Sequence, residues 1–61
     1  MEEIIITARV RAFGLPLQAR RVLVDNEGVR VWDSVAGYYT RCHGLSASAE
    51  KRLRRQAKAQ A

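Results

Sequence analysis

The run "RRVLVDNEGVRVWD", residues 20–33, carries two valine pairs mirrored about a polar turn, and this pattern leaves the chain few choices. Val22 and Val24 precede "DNEG"; Val29 and Val31 follow it. Side chains two apart share a face of a strand, and adjacent ones point to opposite faces. Aligning the valines therefore sets Val22 against Val31 and Val24 against Val29. A slip by one residue would carry every valine of one strand to the wrong face. Asn26 and Glu27 form the centre of the turn, with Gly28 suited to a left-handed position. A bulge at Gly28 is the one local feature that would move this alignment.

The flanking segments extend the same logic. In "EIIITARVRA", Ile4, Ile6, Ala8 and Val10 alternate with Ile5, Thr7, Arg9 and Arg11, the period of a half-buried strand. "FGLPLQA" breaks the pattern with Gly14 and Pro16 and reads as a connection. "DSVAGY" predicts a four-residue hairpin loop, Ser34 to Gly37, with Gly37 at positive φ and Asp33 closing the loop or pairing with an arginine. Asp33 then opposes Tyr38, Trp32 opposes Tyr39, Val31 opposes Thr40, Arg30 opposes Arg41 and Val29 opposes Cys42. After "HGL", Ser46 or Ser48 can cap a helix with Glu50 in its first turn.

The expected fold is α+β: one small domain over residues 1–61, with strands at about 3–12, 20–25, 29–33 and 38–42. These form a four-stranded antiparallel meander, and a helix at about 47–60 packs on one face (ββββα). The structural rival is a small SH3-like barrel with a terminal helix. The strands-then-helix order over about residues 20–60 resembles, in architecture, the small DNA-binding domains of phage-type integrases and plant transcription factors. That resemblance implies a sheet laid in the major groove.

The expected sheet is two-sided. Its valine and isoleucine face suits the stripe Ala49, Leu53 and Ala57, with Leu45 at the helix entry and Tyr38 on the core side. The other face gathers Arg9, Arg11, Arg21, Arg30 and Arg41 around Trp32 and Tyr39. Arg30 against Arg41 is unfavourable unless a phosphate or a neighbouring acid lies between them.

Charge sharpens this picture. Of a net +5, residues 46–61 contribute +4, from Lys51, Arg52, Arg54, Arg55 and Lys58 against Glu50. Such a basic chain favours a polyanionic partner. A 48% apolar content is too high for a disordered basic tail. The acidic start "MEEIII" is the reverse of a secretory leader, and no run approaches the ~18 apolar residues that span a bilayer. A cytoplasmic chain is expected, without a membrane role.

Catalysis is not expected. Cys42 and His43 are strand neighbours and point apart, so the imidazole is poorly placed to take the thiol proton. Cys42 reads as a small packing residue and His43 as a strand-end residue. No paired carboxylates, metal-ligand spacing or phosphate-cradling glycine motif is present, so no cofactor or metal is expected. The functional expectation is a nucleic-acid-binding protein, DNA before RNA, using Arg9, Arg11, Arg21, Arg30, Trp32, Tyr39 and Arg41 on the sheet. Lys51, Arg52 and Arg55 on the helix would contribute a second basic surface. The alternative is a non-enzymatic assembly module that meets an acidic protein. A homodimer is expected in either case, because the helix offers little apolar surface.

Overall fold

The computed structural model describes residues 3–41 and 44–60. The expectations for Cys42 and His43 lie outside the described residues. Strand β1 (Ile4–Val10), β2 (Gln18–Asp25), β3 (Gly28–Asp33) and β4 (Tyr38–Thr40) form one antiparallel sheet in sequence order, followed by helix α1 (Ala47–Gln60). The sheet is open, with β1 and β4 at its edges, so the closed-barrel alternative does not hold. β1 stops two residues earlier than its alternation suggests, because Ala12 enters a turn in which Leu15 N–H donates to its carbonyl at 2.9 Å.

The valine register is as read. Val22 pairs with Val31 and Val24 with Val29, without a bulge, and Asp25 opposite Gly28 closes a two-residue loop. Gly28 has φ 151, so it is not in the left-handed helical region expected of it, yet it still lies where side chains are disfavoured. Asp25 organises this turn: its Oδ1 accepts from the N–H groups of Glu27 (2.9 Å) and Gly28 (3.0 Å). Asp33 closes the second hairpin, accepting from Val35 and Ala36 N–H at 3.0 and 3.1 Å. Gly37 there has φ 77 and donates to the Asp33 carbonyl at 2.7 Å.

The core lies between the sheet and α1. Val10, Val22, Val24, Val31, Leu53 and Ala57 are fully buried, with Ile4, Phe13 and Leu45 packed at the margin. Ser46 is the helix cap, its Oγ accepting from Ala49 N–H at 3.2 Å. Two helix side chains reach the outer edge of β1: Arg52 donates to the Arg9 carbonyl (3.3 Å) and Gln56 to the Thr7 carbonyl (3.2 Å). They satisfy acceptors that an edge strand otherwise offers to another chain. Tyr38 does not join the core; it is 60% exposed. It begins a short edge strand, whereas α1 packs chiefly over β1, β2 and β3.

Candidate nucleic-acid interface

The face of the sheet away from α1 is uncovered among the described residues. Cross-strand pairing brings Thr7 beside Arg21 and Trp32 beside Tyr39. One step beyond the Val22–Val31 pair, Arg21 also lies beside Trp32. One row across the sheet therefore reads Thr7, Arg21, Trp32, Tyr39. The adjacent row is Ile5, Leu23 and Arg30, followed by Arg41 just past the paired part of β4. Arg9 opposes Ala19 and is the diagonal neighbour of Arg21. The rings of Trp32 and Tyr39 meet edge to face, with centroids 5.1 Å apart and planes at 67°. This geometry is worth ~0.5–1.5 kcal/mol beyond burial.

The arginines of this face fall into two groups. Arg30 and Arg41 are held by acids of the β2–β3 turn. Glu27 Oε2 accepts from Arg41 Nη2 at 2.8 Å and from Arg30 Nη2 at 3.4 Å, while Asp25 Oδ2 accepts from Arg30 Nη2 at 3.3 Å. The repulsion foreseen between Arg30 and Arg41 is thus relieved by an acid of the chain. Burial would raise the Asp25 carboxyl, but the Glu27 and Gly28 amides, then Arg30 and Arg41, outweigh it and hold the group below its usual value. Arg9 and Arg21 are exposed and have no acidic partner among the described residues.

The remaining basic residues lie elsewhere. Arg11 lies just past β1 and lines a cleft of about 350 Å³ together with Leu17, Ser46 and Arg52. Arg52 sits on the β1 edge through its bond to the Arg9 carbonyl, so Arg9, Arg11 and Arg52 form a basic margin to the open face. Lys51 and Arg55 are exposed on α1, which covers the opposite side of the sheet. A single flat ligand cannot touch these two residues and the Arg21–Trp32 row together.

Three residues not singled out by their sequence pattern have a part in this surface. Glu27 is the acid that holds two arginines. Arg20 and Phe13 help to line a recess at the end of the sheet beside Trp32. The doublet "RR" at 20–21 already implies that one arginine leaves the open face, since strand neighbours diverge. Among the described residues, no group of three or more His, Cys, Asp or Glu side chains could hold a metal ion, and no helix is long and apolar enough to cross a membrane. No protein-family model, curated protein or solved structure matches the chain.

Proposed function

We propose that this protein binds single-stranded nucleic acid on the open face of its sheet. The observation that carries the reading is the row Arg21–Trp32–Tyr39, with Arg9 diagonal to it and neither Arg9 nor Arg21 neutralised by an acid among the described residues. Phosphates would meet Arg9 and Arg21, with Arg11 and Arg52 at the margin, while the rings meet sugar or base. Lys51 and Arg55 add a long-range attractive field from the far side. Strand spacing favours a single strand over a duplex. Four strands at ~4.8 Å separation span ~14 Å between outer axes, wider than a ~12 Å major groove.

A second copy of the chain seated on the same face is the competing reading. It is favoured by Ile5, which is 58% exposed beside the nearly buried Leu23. The test is to titrate labelled single-stranded DNA, single-stranded RNA and duplex DNA of matched length at rising salt, with sedimentation in parallel. Arg9→Ala and Arg21→Ala should each weaken binding across all sequences and lower the salt slope by about one unit. Arg30→Ala should do less, because its charge already has partners. Trp32→Leu should cost single strands ~1–3 kcal/mol and duplexes less. Absence of binding at low salt, together with a concentration-dependent melting temperature, would replace this proposal with the self-assembly reading.

A further inference from the structure

We infer that the recess bounded by Phe13, Arg20, Trp32 and Asp33 receives one unstacked nucleobase; the inference rests on the nucleic-acid reading and names what the strand would insert. The recess has a volume of about 340 Å³, with Leu15, Ser34 and Val35 completing its lining. That is the lower end of the ~300–1,000 Å³ range of small-ligand sites. Two aromatic side chains contribute to its walls, and a flat heterocycle is the ligand that such walls suit.

Its charged groups are a donor and an acceptor, and the Ser34 hydroxyl beside them can act as either. Arg20 offers only donors and an ionised Asp33 only acceptors, and every nucleobase carries acceptors and donors on its edge. Arg20 and Asp33 line one recess without forming an ion pair. Asp33 uses Oδ1 for the Val35 and Ala36 N–H groups, and no hydrogen bond among the described residues engages Oδ2. Arg20 Nε is buried without a partner. Arg30 Nε, outside the recess, is likewise buried without a partner. What sets Arg20 apart is its place beside Asp33 and the two rings, where a rotation of the guanidinium would let it meet an acceptor on the base. The Gln18 amide, turned so that its oxygen accepts from Arg20 Nη2 at 2.6 Å, steadies the other end of that group.

The backbone adds an independent sign. Phe13 has φ 56, uncommon for a bulky side chain, and strain of this kind gathers at ligand sites. It is held there by its packing against the core and by the Ala12–Leu15 turn. Trp32 belongs both to the open-face row and to the lining of the recess, so a strand crossing Arg21 would meet the recess at this ring.

Trp32 is the only tryptophan, so intrinsic fluorescence reports on the site directly. The probes are short single strands in which one sugar carries guanine, adenine, cytosine or thymine and the others are abasic, with a fully abasic strand of equal length as reference. At least one single-base strand should bind about 5- to 150-fold more tightly than the abasic strand and quench Trp32. Asp33→Asn keeps an oxygen for the hairpin N–H groups, and Arg20→Met keeps the aliphatic stem. Both variants, checked for folding by amide spectra, should bring the base-to-abasic affinity ratio toward one. Because each changes the charge met by both strands alike, the ratio isolates the recess. A ratio of one for all four bases, with both kinds of strand bound, overturns the base site and leaves the nucleic-acid reading standing. So does a ratio that neither variant moves. If no strand binds at low salt, both readings fall.

Discussion

Leu53→Ala tests the claim that one helix residue seals the core. Leu53 is fully buried, and only the small Ala57 shares its buried stripe on α1. Beneath it lie Val10, Val22, Val24 and Val31, all fully buried and fixed in the sheet by the observed register. Leu→Ala in a core costs ~2–5 kcal/mol, depending on how far the surroundings close the gap. Here closure requires α1 to sink toward the strands. That movement would strain the bonds from Arg52 and Gln56 to the β1 carbonyls. A loss in the upper half of the range, about 3.5–5 kcal/mol, is therefore expected. A core of this size rarely supplies more than ~3–5 kcal/mol in all. The variant should be largely unfolded at room temperature, whereas Leu53→Met, which keeps the volume, should lose less than ~1.5 kcal/mol. Ile5→Ala on the open face should cost about 1 kcal/mol, since the side chain is already 58% exposed. Urea unfolding followed by circular dichroism and Trp32 fluorescence measures all three. The contrary results are a Leu53→Ala variant within ~1 kcal/mol of wild type, or an Ile5→Ala loss as large as that of Leu53→Ala. Either outcome would place the main apolar contact on the other face of the sheet.

The Asp25 carboxyl titrates below its usual value in the folded chain. Its contribution is therefore complete above the unfolded pKa of ~3.9 and is lost as pH falls through the lower folded value. The stability gap between wild type and Asp25→Asn, from urea midpoints across the acid range, should shrink as pH drops; a gap independent of pH would contradict this. Glu27→Gln should release Arg41, while Asp25 keeps Arg30, steepening the salt dependence of nucleic-acid binding by about one unit and changing stability by no more than ~1 kcal/mol. An unchanged slope would mean that Arg41 never reaches phosphate. Gly37→Ala meets no neighbouring atom within 4 Å, so its cost is the backbone strain of φ +77 alone, ~1–2 kcal/mol. Gly37→Asn should cost less, and a neutral Gly37→Ala in thermal unfolding would show that the hairpin relaxes to another turn.

Much of the fold was legible because strand periodicity is a local property. Alternation over β1 gives its buried face, while the mirrored valines of β2 and β3 and the loop before Tyr38 lead to the observed pairing of those strands, down to Trp32 opposite Tyr39. Asp33 closing its hairpin and Ser46 capping α1 are also local, since each side chain bonds to amides two or three residues on. The exposure of Tyr38 was not legible, because parity gives a face but not how far a helix extends over it. Nor could sequence divide the arginines. Glu27 reaches Arg41 fourteen residues away, and Arg52 reaches the Arg9 carbonyl across forty-three. Those contacts depend on where long, rotatable side chains end after the sheet twists and the helix docks. The recess at Phe13 and Arg20 has the same origin: three segments, unremarkable one by one, enclose it only once they are packed together. Periodicity decides which face a residue occupies; only packing in three dimensions decides which charge it meets there.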